Sequence, residues 1–404
     1  MPRYRFAILL AVCSLAFMGN FIQYQVSALA LDVMPMLGID AVGFSTMFLI
    51  PMLAAVFFGI PLGLAGDKFG PKRVIAICFS VACAGGLLRL LTLQSFPLQL
   101  VSLFCVGIGM TALSTNVVKT ISLWFGPKTD TAVGVYYAVS CLGIVASQAA
   151  GGLYSSVSQA YALAEAVLVA VTLLWVAVGR DLPKGAEAPA DKAALETFLV
   201  PAKSRSVWLI ALAVGFTLSA STAFAGLLPQ ALEAGKGIEG LVAGNMAAAV
   251  TVASIFGCVA GPTLCARFGR MRPYLLVVNI LAGAVMLSTW YVGLGTPLWA
   301  VLAAGGFLSA MTGPILQSLP VVIEGIGSRF AGSASGIIST VSLAMSFALP
   351  IGVSAVAGSS YELNLALESI CFVASILPIM LLPELGKRAQ RGQAGAESER
   401  QGTR

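Results

Sequence analysis

Asn20, Gln23, Tyr24 and Ser27 fall at offsets 0, 3, 4 and 7, which puts two amides, a phenol and a hydroxyl on one helix face within an otherwise apolar stretch. Comparable faces recur in Thr115, Asn116 and Lys119, and in Tyr137, Ser140, Ser147 and Gln148, while Asn245 and Gln317 stand singly further on. Groups of this kind hydrogen-bond a polar ligand; they do not activate it for reaction. An amide among apolar neighbours costs free energy unless a partner, a water or a ligand satisfies it, so each face either bonds an adjacent helix or opens onto a polar cavity. The means for acid-base chemistry are thin. The chain has no histidine, which removes histidine-based triads and zinc hydrolase sites. No carboxylate pair lies in the apolar stretches to replace them. The letters of Gly107-x-Gly109-x-x-Ala112 match a dinucleotide fingerprint, yet that motif needs a preceding strand, and the surroundings here are continuously apolar. No cofactor or metal site is read, and an enzyme is not expected.

The elements that position these residues follow from composition. The 404 residues are 58% hydrophobic and 10% charged, far below the roughly 25% charge of a typical soluble domain. Runs long enough to cross a hydrocarbon core, which takes about 20 helical residues, lie at 6–30, 43–65, 74–94, 98–122, 132–154, 159–179, 206–230, 240–264, 274–294, 297–321, 333–356 and 362–384. They are continuously apolar, so they read as twelve membrane helices and not as barrel strands. The first is too long for the apolar core of a cleaved signal peptide. The eight cysteines sit in or beside these runs without paired spacing, as small core hydrophobes.

Positive charge orients the chain. Of the 23 lysines and arginines, all but Lys236 and Arg89 fall at the termini, in the central linker, or in or beside loops on the same side. Short cytoplasmic loops carry that excess, so both termini are expected in the cytoplasm, across an inner (cell) membrane. The net charge of +6 is thus topological and no nucleic-acid partner is implied.

A charged, glycine-rich turn follows the second run: Gly63-Leu64-Ala65-Gly66-Asp67-Lys68-Phe69-Gly70-Pro71-Lys72-Arg73. A weaker copy, Cys265-Ala266-Arg267-Phe268-Gly269-Arg270-Met271-Arg272, returns about 199 residues later. The spaced glycines Gly59 and Gly63 are likewise echoed by Gly257 and Gly261, a pattern that lets helix backbones approach closely in lipid. With twelve runs in two similar halves, the chain resembles the major facilitator superfamily of secondary transporters. Gly63, Asp67, Lys68, Gly70, Pro71 and Lys72 fit the signature loop of that family position by position.

The resemblance implies an all-α membrane fold of two pseudo-symmetric six-helix bundles, 1–180 and 206–386, joined by a cytoplasmic linker 181–205 and followed by a disordered tail 387–404. It implies that spans 1, 4, 7 and 10, helped by 2, 5, 8 and 11, line a central cavity, which makes Asn20, Gln23, Tyr24, Asn116, Lys119, Tyr137, Gln148, Asn245 and Gln317 the candidate solute ligands. It also implies a gating loop of Gly63, Asp67, Lys68, Gly70, Lys72 and Arg73, in which Asp67 caps the start of span 11 near Gly332, Ser333 and Gly336. The copy has Ala266 where the first loop has Asp67, so the latch should be asymmetric.

Two sub-patterns are degraded. The arginine of proton-driven drug exporters is Leu103 here, and the antiporter Gly-Pro of span 5 is Ser147-Gln148. Both weaken the alternative of a multidrug/proton antiporter. A non-transporting sensor has no signalling domain to support it. The stretch Leu123-Trp124-Phe125-Gly126-Pro127-Lys128 and the glycine-rich span 5 look like the nitrate/nitrite, cyanate and oxalate branches. Lys119 either snorkels to the interface or faces the cavity as an anion ligand. Arg89, on a span peripheral in this family, either snorkels outward or pairs with Asp32; Glu165 lies on another peripheral span. With no acid at mid-depth on a cavity-lining span, the expectation is a monomeric transporter of a small, polar, anionic solute working by alternating access, with a coupling ion left open.

Overall fold

The computed structural model describes residues 4–180, 196–321, 323 and 326–384. These form helices and turns, with no strand among them. In chain order the helices are α1 (Tyr4–Ala28), α2 (Ala30–Leu37), α3 (Ala41–Phe69), α4 (Pro71–Leu91), α5 (Phe96–Phe125), α6 (Thr129–Ala150), α7 (Val157–Val178) and α8 (Glu196–Lys203). They continue as α9 (Arg205–Gln230), α10 (Gly240–Phe268), α11 (Met271–Tyr291), α12 (Thr296–Ala310), α13 (Gly313–Ser318), α14 (Gly327–Ala357), α15 (Tyr361–Ala374) and α16 (Ile376–Leu381). Twelve segments are long and apolar enough to cross a membrane, one for each run read from sequence. The expected linker contains helix, α8, and its first part, like the tail 387–404, lies outside the described residues.

Local chemistry sets the breaks. Asp40 starts α3 by accepting the Gly43 N–H at 2.8 Å, and Ser156 starts α7 by accepting that of Gln159. Between α3 and α4 the chain turns on one residue, Gly70, at φ +88°, followed by Pro71 in the first turn of α4. A side chain at that φ would be strained, and proline suits a first turn where its missing N–H goes unmissed. Gly269 repeats the device at φ +77°.

Contacts divide the chain into two compact units: 1–191 with 223–252 and 347–364, and 192–222 with 253–346 and 365–404. In the first, α4 and α3 both pack on α5, and α1 packs on α6 and α7. Its core includes Ile8, Leu15, Met47, Leu103 and the fully buried Trp175. In the second, α11 packs on α12 and α16 around Val207, Leu275, Leu316 and Ile379. The echoed glycines are not used alike. A Cβ on Gly257 or Gly261 would lie 2.1 Å from the carbonyl oxygen of Phe307 or 2.3 Å from that of Met311, so α10 and α12 touch backbone to backbone there. Gly59 has nothing within 4 Å and Gly63 only Thr115 at 4.0 Å, so the first pair seats no close helix approach.

Candidate functional site

The signature loop is held by span 4. On the face of the first unit that carries Tyr4, the end of α3 lies along α5, and two α5 side chains one turn apart reach across to it. Asn116, 1% exposed, donates through Nδ2 to the Leu62 carbonyl at 3.2 Å. Its amide occupies a slot that exists because residue 66 is glycine: a Cβ there would fall 1.6 Å from Oδ1. Lys119 Nζ meets Asp67 Oδ1 at 2.5 Å and the Gly66 carbonyl at 3.5 Å. An ammonium at the C-terminal end of α3 satisfies a late carbonyl and complements the negative end of the helix dipole. The pair is still reachable from solvent, with side chains 36% and 49% exposed.

Lys119 therefore neither reaches for the interface alone nor stands as an unmatched cation; an acid does neutralise it, supplied by the loop and not by a mid-depth position. On α4 the loop is fixed by Trp175 of α7, whose indole N–H donates to the Lys72 carbonyl at 3.3 Å. Lys68 lies over the Phe69 ring at 5.2 Å, and Arg73 is exposed. At the corresponding turn of the second unit a different acid acts. Glu384, from the end of the described chain, accepts the N–H groups of Met271 and Arg272 at 2.7 and 3.1 Å and caps α11.

Deeper in the first unit, Gln23 is 4% exposed and donates to the Phe48 carbonyl at 3.3 Å, while Tyr24 meets the Phe48 ring edge-on with centroids 5.1 Å apart. Gln148 is fully buried: its Nε2 donates to the Ala225 carbonyl at 3.2 Å, and its Oε1 accepts from the Thr251 hydroxyl at 3.1 Å. Ser27 donates to Gly226, and Ser45, Ser354 and Asn364 form a chain of hydrogen bonds at 2.7 and 3.3 Å. Thr251, Ser45, Ser354 and Asn364 were missed from sequence because a lone hydroxyl or amide carries no spacing signal. Asn20 turns back to its own helix at the Ala16 carbonyl. Tyr137, Asn245 and Gln317 are exposed.

Arg89 corrects both sequence alternatives. It is 2% exposed, lies 3.4 Å from the Tyr161 ring centroid, and donates to Gln25 Oε1 at 3.4 Å; it neither snorkels nor reaches Asp32. Glu165, one turn beyond Tyr161, is 5% exposed and fills a slot against Gly86, where a Cβ would lie 1.6 Å from Oε2. The cluster is only partly satisfied: Arg89 Nε and Nη2 and both Glu165 carboxylate oxygens are buried without a hydrogen-bond partner.

A helix-breaking glycine loop clamped to span 4, repeated with altered chemistry in a second half, is matched by sequence comparison. The model of the Major Facilitator Superfamily covers residues 9–350. The chain belongs to this superfamily. It is thus a multi-pass membrane transporter and not an enzyme. No curated protein matches it. Among solved structures it resembles a bacterial homologue of the human lysosomal transporter Spinster, captured inward-facing and unoccupied, at TM-score 0.72 and 15% identity over 94% of this chain and 95% of that one. It resembles the nucleoside transporter NupG at TM-score 0.74 and 15% identity, over 93% and 99%. The E. coli fucose:proton symporter FucP matches at 0.59 and 18%, over 92% and 98%. At such identities the likeness carries the fold alone; each solute named is that of the other protein.

Proposed function

We propose that this transporter moves a small polar solute across the inner membrane by alternating access, with the Asp67–Lys119 pair as part of the cytoplasmic gate. The ion pair carries the reading. It ties the signature loop to span 4 through a contact exposed enough to break. A pair that can form and break gives the loop two states. Gln148 with Thr251 and Ala225, Ser27 with Gly226, and Ser45 with Ser354 and Asn364 would form the opposing gate, on the face away from Tyr4.

For the solute, the observations favour a polar molecule without net charge. Lys119 is matched by Asp67 and Arg89 is enclosed by Tyr161 and Gln25, which leaves amides and hydroxyls as the groups offered by the candidate ligands. An anionic solute is the second reading, favoured by the accessibility of the Lys119 ammonium. An anion that displaced Asp67 would bind and release the loop in one step, in keeping with the likeness to the nitrate/nitrite, cyanate and oxalate branches.

Counterflow into proteoliposomes separates the two. Uptake of neutral hydroxylated solutes that survives Lys119→Gln supports the first reading; uptake confined to anions and abolished by Lys119→Gln supports the second. Thiol labelling at Lys192 from the cytoplasmic side only, and at Glu239 from the outside only, tests the orientation. Light scattering in detergent tests the monomer.

A further inference from the structure

Three spans end together on the face of the first unit that carries Tyr4. The Tyr4 hydroxyl, at the start of α1, donates to the Val178 carbonyl at the end of α7 at 2.6 Å, and its ring lies 5.4 Å from that of Trp124 at the end of α5. Two arginines lie on this aromatic corner. The Arg180 guanidinium sits 4.6 Å from the Tyr4 ring centroid, and the Trp124 indole N–H donates to the Arg180 carbonyl at 3.2 Å. The Arg5 guanidinium sits 5.0 Å from the Phe6 centroid and 5.6 Å from that of Phe125. Such contacts hold a guanidinium in place but use none of its N–H groups. Neither arginine is ion-paired among the described residues. Arg5 is half-buried with Nε alone enclosed, and Arg180 is exposed, so terminal N–H groups of both reach the surface. Beside Arg5, Phe6 is 56% exposed and Leu10, one turn further along the span, 62%.

We propose that this corner is a binding site for an anionic phospholipid, its phosphate held by Arg5 and Arg180 and an acyl chain laid along Phe6 and Leu10. The N–H fork of a guanidinium matches phosphate oxygens, and one already laid on a ring gives up little freedom to bind them. A cation that merely snorkels extends into water; these two are laid on rings with their donors unspent. The ends of three spans set the corner at headgroup depth, where clustered cations recognise anionic lipid. A soluble anion would meet the arginines as well but would leave Phe6 and Leu10 uncovered, and the lipid covers both. Bound there, it ties the start of α1 to the ends of α5 and α7, where the chain leaves the bundle for the linker. The site depends neither on which solute is carried nor on the Asp67–Lys119 pair.

Native mass spectrometry of the full chain in detergent, titrated with phosphatidylglycerol or with phosphatidylcholine of the same acyl chains, resolves each bound lipid and gives its affinity. The first phosphatidylglycerol should bind at least about five-fold tighter than the first phosphatidylcholine. Arg5→Gln and Arg180→Gln should each weaken that phosphatidylglycerol about five-fold and leave phosphatidylcholine unchanged. Replacing both with lysine keeps the charge and loses the fork, so it should retain part of the preference. Arg270→Gln, at an exposed arginine of the second unit, should leave it intact. Glycerol 1-phosphate at millimolar concentration should not displace the lipid. Equal affinity for the two lipids overturns the proposal, as does an undiminished preference when both arginines are glutamine. A loss in Arg270→Gln as large as that in Arg5→Gln reduces the effect to general surface charge and overturns it too. Displacement by glycerol 1-phosphate gives the arginines to a soluble anion and sinks the lipid site.

Discussion

Replacing Asp67 with asparagine removes one charge from a pair 2.5 Å apart while keeping the side-chain volume. At that distance a fully water-screened pair is worth about 1.7 kcal/mol. With side chains 36% and 49% exposed, entropy and salt reduce this toward the range of exposed pairs, about 0.2–1 kcal/mol. Lys119 loses its carboxylate but keeps the Gly66 carbonyl, so part of the helix-end stabilisation, about 0.3–1 kcal/mol, survives. The net loss is then about 0.2–1 kcal/mol, a rise of roughly 1.4- to five-fold in opening of the α3–α4 loop. Amide hydrogen exchange at 66–69, read by mass spectrometry, reports that opening directly. Exchange should rise roughly 1.4- to five-fold in Asp67→Asn and similarly in Lys119→Gln. The double variant should add little, because each single change already removes the same contact. Raising KCl from 0.1 to 1 M should narrow the gap between wild type and variant. Wild-type exchange in both single variants, or strictly additive effects in the double one, would refute the clamp.

Other outcomes follow from the same packing. Gly257→Ala or Gly261→Ala must push α10 off the α12 backbone and should lower stability by about 1–3 kcal/mol, whereas Gly59→Ala, with nothing within 4 Å, should lie within about 0.5 kcal/mol of wild type; melting curves in detergent decide. Gln148→Leu removes the donor to the Ala225 carbonyl and should cost about 1–3 kcal/mol, while the Thr251 hydroxyl keeps the Ala247 carbonyl, so Thr251→Val alone should cost less. Arg89→Leu leaves Glu165 without its nearby cation and should cost about 2–4 kcal/mol. Glu165→Gln should partly rescue it, and an unchanged melting point in Arg89→Leu would show the cluster to be inert.

The twelve crossings and the tight turns were legible in the chain because they depend on one-dimensional facts. Burying a helix in hydrocarbon requires about 20 apolar residues in a row, and a turn at Gly70 or Gly269 requires a residue tolerant of positive φ, followed in the first case by a proline that starts the next helix. Offsets of three and four likewise placed Asn116 and Lys119 on one face. Which partner that face meets is not a one-dimensional fact. In a chain this apolar, hydropathy ranks every packing of one helix on another almost equally, and the choice falls to small residues and polar groups at particular heights. So Asn116 sits in the slot of Gly66, Lys119 finds Asp67, and Arg89 lies on Tyr161 and not at the interface. The same cause separates Gly257 and Gly261, which seat a neighbouring backbone, from Gly59 and Gly63, which do not. Sequence spacing was identical in the two pairs; only the helix lying opposite decided what the spacing was for.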